Sequence, residues 1–266
     1  MQDLLFNYSI FFFGASRDAD YYQLKQTSFS YSDSTNFKDM VTPFECSNLF
    51  SENYRMNHNY PRSWTLLDTD KYDTQFFISK RDDGEVVICF YCSNSSIDWK
   101  NNFHFWQKAY KDTDIPFRAH GGFLRCWKEV RRYIEAEVAK LQPTCITVTG
   151  WSYGGALAIL CMEDMTYLYP DMKIQCITFG APRVVTWKNW KKIKERWNKD
   201  SLRQTIEFKN GSDIVTAVPL MMWGFHHVAN LTHIGQPIRW WRYFRPDIHH
   251  QIDNYRDTIK KISGRF

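Results

Sequence analysis

The residues best suited to chemistry in this chain surround a serine that lies between two glycines. Residues 146–149 form a β-branched apolar run, and residues 155–160 form a run of small and apolar residues typical of a helix. Ser152 stands at the junction, with Gly150 and Gly154 two positions away on either side. A strand, a sharp turn and a helix in this order are typical of a nucleophilic serine with an exposed hydroxyl at a strained turn. The alternative is a glycine-rich turn with an incidental serine.

The predicted helix also begins where negative charge would develop during attack by Ser152. Helix N-termini present N–H groups and positive potential, which stabilise an oxyanion. The backbone N–H of Tyr153, directly after the serine, is therefore a predicted oxyanion donor. We expect a second donor from residues 92–96, which form the loop after an early predicted strand.

A serine hydroxyl needs a base to remove its proton and an acid to orient that base. Among the carboxylates after Ser152, only Asp213 lies in a tight turn just past a predicted strand, residues 205–208. The alternative for Asp213 is an Asx-type turn residue with no chemical role. Five histidines follow it, and their positions alone leave the base open. They are His226, His227, His233, His249 and His250.

An amphipathic segment follows the predicted oxyanion loop, within residues 94–118. Its aromatic residues recur at helical spacing: Trp99, Phe103, Trp106 and Tyr110. One interpretation is a packed surface helix. The other is a mobile lid whose apolar face covers the site in water and meets a lipid surface when open.

The remaining patterns predict the elements that position these groups. Strands are predicted at residues 86–90, 146–149, 174–179, 205–208 and 238–244, and helices at 125–141, 187–197 and 252–259. His249 and His250 fall in the loop before the last helix. Strands that alternate with helices favour an α/β fold with a largely parallel sheet and active groups at the carboxyl ends of its strands.

Composition favours one globular domain over residues 1–266, since apolar residues make up 44% and charged residues 24%. Seven cysteines form no disulfide framework, and those at positions 145, 161 and 176 are predicted to be buried free thiols. Cys89 and Cys92 fall on opposite faces of a predicted strand, so we predict no metal site.

The net charge of +5 is concentrated within residues 183–203 and near the C-terminus. Such a surface favours an anionic membrane or nucleic acid, and a solvated helix face is the simpler alternative. No nucleic-acid motif accompanies the charge.

No stretch is long enough to span a bilayer, and the apolar N-terminus predicts a docking helix rather than a signal peptide. With free thiols, this favours an intracellular location.

Several segments taken together resemble the class 3, or fungal-type, lipase family. The matching pieces run from Val86 to about Tyr255. They are residues 87–99 at the strand and oxyanion loop, His120-Gly121-Gly122-Phe123, residues 148–158 at the serine, Thr178-Phe179-Gly180-Ala181-Pro182-Arg183-Val184, and Asp213-Ile214-Val215 with Pro219.

The resemblance implies an α/β-hydrolase fold and hydrolysis of lipid acyl esters without a metal or organic cofactor. It carries over Ser152 as nucleophile, Asp213 as acid and Ser93 as the first oxyanion residue. The segment from His250 to Tyr255 fits the family's pattern after the base, so the resemblance implies His250 as base, with His249 in reserve. His233 matches the family's second, non-catalytic histidine.

Some positions depart from the family pattern. Tyr91 and Cys92 replace the usual Arg and Gly, Trp151 replaces a His, and Tyr153 replaces a Leu. We expect a triacylglycerol or acylglycerol lipase that works at a lipid–water interface, with phospholipase A1 or a soluble-ester esterase as alternatives. A non-catalytic scaffold that binds lipid or protein is the alternative of another class. Acyl chain length, regioselectivity and oligomeric state are not predicted.

Overall fold

The computed structural model describes residues 74–90, 106–198, 202–235 and 249–263. Within these ranges ten strands and four α-helices follow one another along the chain. In order they are β1 (Phe76–Lys80), β2 (Glu85–Phe90), β3 (Gln107–Tyr110), β4 (Phe117–His120), α1 (Gly121–Leu141), β5 (Cys145–Trp151), α2 (Tyr153–Leu168), β6 (Lys173–Phe179), β7 (Val185–Thr186), α3 (Trp190–Trp197), β8 (Arg203–Asn210), β9 (Phe225–His226), β10 (Asn230–Ile234) and α4 (Ile252–Ser263).

The larger sheet has the strand order β1-β2-β5-β6-β8-β10. Only β1 runs antiparallel to its neighbour, while β2, β5, β6, β8 and β10 are mutually parallel. Every residue of β2 is buried, as expected for strands covered on both faces. Helix α2 packs on β5 and β6, and α4 packs on β8. The predicted, mostly parallel α/β sheet is confirmed.

A second sheet, with the order β3-β4-β7-β9, is antiparallel. It corrects the helical prediction for the amphipathic segment, because Gln107–Tyr110 forms a strand paired with Phe117–His120. Tyr110 is buried in this hairpin, whereas Trp106 is 72% exposed. Within residues 107–110 the helical spacing was misleading because cross-strand pairing outweighs local periodicity. Trp99 and Phe103 lie outside the described residues.

Three other predictions are adjusted by the structure. Helix α1 begins at Gly121, four residues before the predicted start, with the side chain of His120 as its N-terminal acceptor. The basic helix α3 begins only at Trp190, after a turn at residues 187–189. Cys161 and Cys176 are buried free thiols as predicted, while Cys145 is half-buried. The predicted N-terminal docking helix and the strand at 238–244 lie outside the described residues.

The described ranges contain neither a membrane-spanning helix nor a cluster of metal-binding side chains. None of their helices is both long and apolar enough to cross a membrane. They also hold no group of three or more His, Cys, Asp or Glu side chains placed to bind a metal ion.

Helix α2, which follows Ser152, carries two adjacent buried carboxylates. Glu163 contacts Arg196 and accepts a hydrogen bond from the Trp197 indole at 2.9 Å. Burial raises the pKa of Glu163 to about 7, although Arg196 opposes the shift. Asp164 accepts from the Trp127 indole at 2.9 Å, and burial raises its pKa to about 6.

We expect Glu163 to make the protein less stable as the pH rises. Its pKa in the folded state lies above the unfolded value of about 4.3, so the folded state binds more protons between these values. The stabilisation is complete below about pH 4 and is lost as the pH rises through about 7. Glu163→Gln should reduce the fall in unfolding free energy between about pH 5 and pH 8 by on the order of 2 kcal/mol.

Urea denaturation of both proteins at several pH values measures this difference. Glu195→Gln, on the exposed part of α3, is the matched control and should follow the wild type. Identical pH dependence in wild type and Glu163→Gln would contradict the prediction.

Candidate active site

Ser152 lies where β5 ends and α2 begins, as the glycine-flanked motif predicts. Its backbone adopts φ 56° and ψ −121°, an unfavourable region for a residue with a side chain. Its N–H donates to the Phe179 carbonyl at 2.8 Å, which secures the turn against the neighbouring strand. A Cβ at Gly150 would lie 2.3 Å from the Gly154 backbone, so only glycine fits there. The Ser152 side chain is buried, in contrast to the exposed hydroxyl that the motif predicts.

Asp213 lies in the turn that follows β8, at the same sheet edge as Ser152. The carboxylate is buried, and Oδ1 accepts a hydrogen bond from the Val215 backbone N–H at 2.8 Å. This is the Asx-type contact considered as an alternative, and the same carboxylate also accepts from His250. The turn contact therefore holds the carboxylate in position rather than excluding a chemical role.

His250 joins the other two groups from residues 249–250, which are helical rather than the predicted loop and lie just before α4. Its Nε2 lies 2.7 Å from Ser152 Oγ, and its Nδ1 lies 2.9 Å from Asp213 Oδ2. The Trp151 indole stacks on the imidazole, with 5.1 Å between ring centroids and 22° between planes. Hydrogen bonds and stacking together hold the ring edge-on between the hydroxyl and the carboxylate.

The other four candidate histidines occupy different positions. His249 is buried, and its carbonyl accepts a hydrogen bond from the Asn210 side chain at 3.3 Å. His233 is exposed on β10, and His226 stacks on Trp190. His227 contacts the buried Glu207 and approaches the Thr216 carbonyl at 2.7 Å. Only His250 of the five is in hydrogen-bonding contact with both Ser152 and Asp213 in the described structure.

The remaining predicted site residues are placed only in part. Tyr153 is the first residue of α2 and its side chain is buried, which puts its backbone N–H directly beside Ser152. Trp106 leads into β3, and its carbonyl accepts a hydrogen bond from Gly121 at 2.8 Å. Ser93, the predicted first oxyanion residue, lies outside the described residues.

Tyr255 is a site residue that sequence analysis missed. The sequence predicted a helix at residues 252–259 and gave Tyr255 no role of its own, yet its hydroxyl donates to Asp213 Oδ2 at 2.7 Å. The Tyr255 hydroxyl oxygen also accepts a hydrogen bond from the Asn210 N–H at 2.9 Å. Burial, and then the charge of Asp213, raise the pKa of Tyr255, so it remains a neutral hydroxyl donor. The spacing of five residues between His250 and Tyr255 was the available signal.

Gly180 is the second glycine that the site requires. It has φ +62°, and an added Cβ would lie 2.9 Å from Asp213 Oδ2, 3.1 Å from the Tyr255 hydroxyl and 3.2 Å from His250 Cε1. A side chain there would displace the carboxylate or the imidazole. This accounts physically for the glycine that directly follows β6.

Tyr255→Phe tests the contribution of the tyrosine hydroxyl. Hydrogen bonds to charged groups contribute about 1.5–3 kcal/mol, so we expect kcat/KM for a soluble ester to fall by about 10- to 100-fold. The buried Asn210 N–H also loses its acceptor, which should cost about 1–3 kcal/mol of stability. Steady-state kinetics and urea denaturation measure the two effects.

Tyr110→Phe is the matched control, because that hydroxyl donates to the buried Asp164 far along α2. It should lose stability while kcat/KM stays unchanged. Equal activity in Tyr255→Phe and wild type would show that the hydroxyl serves stability alone.

A mostly parallel sheet with a serine elbow after β5, an acid after β8 and a histidine before the last helix defines the α/β-hydrolase fold. Residues 87–223 match the family described as Lipase (class 3). The chain belongs to the class 3 lipase family.

Similar proteins agree with this assignment. A lipase from Rhizomucor miehei is 29% identical over 131 residues, which cover 46% of this chain and 35% of that protein. The chain thus spans about a third of the length of this curated relative. Among solved structures, a mono- and diacylglycerol lipase from Aspergillus oryzae is 26% identical with a TM-score of 0.56, over 65% of this chain and 64% of that one. A lipase from Rhizopus microsporus var. chinensis, at 19% identity, shares the fold with a TM-score of 0.59, over 73% and 74% of the two chains.

Proposed function

We propose that this protein hydrolyses acyl esters of lipids through a covalent acyl-enzyme on Ser152. The observation that carries the proposal is the continuous hydrogen-bonded path from Ser152 Oγ through His250 to Asp213, with contacts of 2.7 and 2.9 Å. Membership of the class 3 lipase family supports the choice of lipid esters as the substrate class.

The tautomer of His250 follows from its two partners. The Asp213 carboxylate only accepts hydrogen bonds, so Nδ1 carries a proton and Nε2 presents its lone pair to Ser152. His250 removes the Ser152 proton as Oγ attacks the ester carbonyl, and then returns that proton to the departing alcohol. Water next attacks the acyl-enzyme with His250 again as base, which releases the fatty acid and restores Ser152.

The charge that develops on the ester oxygen needs hydrogen-bond donors beside Ser152. We assign the backbone N–H of Tyr153 as one donor and Ser93 as the other. Asp213 stabilises the imidazolium that forms in each step and keeps the ring oriented. The Val215 N–H and Tyr255 hydroxyl hold that carboxylate in place.

The burial of Ser152 bears on the kind of substrate. A buried hydroxyl is closed to an ester until a neighbouring segment moves, and we propose the segment that carries Trp99, Phe103 and Trp106 as a lid that opens the site. A segment with apolar residues on one side opens favourably where it meets lipid. This favours an emulsified or membrane lipid over a soluble ester, with phospholipase A1 activity as the second candidate on account of the basic surface.

A fluorophosphonate probe and a substrate panel test the proposal together. We expect the probe to label the wild type and not Ser152→Ala, since it reacts with an activated serine. Hydrolysis of tributyrin should accelerate once its concentration exceeds solubility. A hyperbolic rate curve through that limit would favour a soluble-ester esterase, and release of fatty acid from phosphatidylcholine alone would favour a phospholipase. Absence of labelling would leave only a non-catalytic scaffold.

A further inference from the structure

Exposed apolar side chains from two separate segments lie side by side near the acid loop. Met221 and Met222 are 58% and 82% exposed at the tip of a short 3-10 turn that follows Asp213 along the chain. Trp187 is 67% exposed in the turn before α3. Side chains as large and apolar as these are normally covered, and a cluster of them marks an interaction surface.

Backbone contacts hold the two segments against each other. The Trp187 N–H donates to the Gly224 carbonyl at 2.7 Å, and the Trp187 ring packs so closely that a Cβ on Gly224 would lie 2.5 Å from it. The Gln107 side chain donates to the Trp223 carbonyl at 2.7 Å. The apolar cluster is therefore built on the edge of the smaller sheet.

A basic groove adjoins this cluster on α3. It has a volume of about 440 Å³ and is lined by Trp190, Lys191, Lys194, Glu195 and Asn198. Trp190 stacks on His226 directly after the methionine turn, which links the groove to the apolar cluster. Lys194 lies 5.9 Å from the centre of the Trp190 ring. Exposed Lys188 and Lys192 add further positive charge to the same segment.

We propose that Trp187, Met221, Met222 and the basic groove of α3 form a docking surface for an anionic phospholipid bilayer. Tryptophan favours the boundary between head groups and acyl chains, and exposed methionine side chains are stabilised when they are buried among apolar acyl chains. Lysines beside them attract the negative surface of the bilayer. Glu195 is the one acidic side chain among the groove's lining residues, so the groove keeps a positive balance. Docking here would bring the acid loop, which leads into the methionine turn, close to the lipid.

Vesicle binding tests the docking surface without turnover. Ser152→Ala protein is sedimented with vesicles of phosphatidylcholine and with vesicles that contain equal amounts of phosphatidylserine. We expect binding to the anionic vesicles that weakens as salt is added. Met221→Asp with Met222→Asp should lower the partition coefficient by about tenfold or more. Lys191→Glu with Lys194→Glu should remove most of the salt-sensitive part.

Tyr167→Asp with Leu168→Asp is the matched control, because these residues are 42% and 39% exposed at the far end of α2. The control should bind as the parent protein does, and circular dichroism checks that each variant is folded. Equal binding by the methionine variant and the parent would overturn the proposal. Light scattering gives a second test. If the methionine variant binds vesicles but no longer self-associates, the surface joins two copies of this chain and the proposal is overturned.

The docking inference deepens the proposed function, and the two fail separately. If the wild type hydrolyses esters but the Ser152→Ala protein does not bind anionic vesicles, docking is refuted and ester hydrolysis is not. If the wild type binds vesicles but is not labelled by a fluorophosphonate, hydrolysis is refuted and docking is not.

Discussion

Ser152→Ala is expected to lower kcat for p-nitrophenyl butyrate by about 10⁵-fold, while the protein stays folded. The loss is large because no acyl-enzyme forms without the hydroxyl, and the remaining groups only polarise the ester and orient water. The substitution removes a single buried oxygen whose hydrogen-bond partner is His250 Nε2. The cost in stability should therefore be about 1 kcal/mol.

Kinetics with purified protein, and urea denaturation of the same sample, measure both quantities. Ser79→Ala, on β1 and remote from the elbow, should retain wild-type activity. Fluorophosphonate labelling of the sample checks for a contaminating hydrolase. If uncontaminated Ser152→Ala protein has a kcat within a hundredfold of wild type, Ser152 is not the nucleophile.

Asp213→Asn has the second-largest expected effect, a fall in kcat/KM of about 10⁴-fold. The Val215 N–H points at Oδ1 from 2.8 Å, so the amide oxygen of the asparagine must occupy that position. The amide NH₂ then takes the place of Oδ2 and faces His250 Nδ1. His250 must accept there, which moves its proton to Nε2 and leaves no lone pair for the Ser152 hydroxyl.

The Tyr255 hydroxyl makes the asparagine still less favourable. It donates to Oδ2 at 2.7 Å in the native protein and would face a second donor in the variant. We expect a fall in melting temperature as well as in rate. Asp171→Asn, in an exposed turn, should change neither. A kcat/KM of Asp213→Asn within tenfold of wild type would show that the carboxylate does not set the tautomer of His250.

Local sequence was sufficient to predict the element that carries the serine. The β-branched run, the two glycines and the small-residue run each act on their immediate neighbours, so β5, the turn and α2 could be located without knowledge of the rest. The same holds for Asp213, because a turn directly after a strand must lie at the strand's carboxyl end. Both residues lie where the patterns predicted.

Local periodicity failed where pairing between strands decides the conformation. The aromatic spacing from Trp99 to Tyr110 favoured a helix, but Tyr110 is buried opposite Phe117 in a hairpin. The energy of that pairing comes from partners in the sheet. The basic helix was also predicted too long, since residues 187–189 form a turn in which the Trp187 N–H donates to the Gly224 carbonyl.

The order of residues along this chain determined the position and local conformation of Ser152 and Asp213, because both depend on neighbours a few positions away. Five histidines were compatible with that order, and the resemblance to class 3 lipases was needed to choose His250. Tertiary structure alone placed the His250 ring between Ser152 and Asp213 and added Tyr255 behind the carboxylate. These contacts join residues 98, 37 and 42 positions apart. They depend on how α4 packs against β8, which no local pattern specifies.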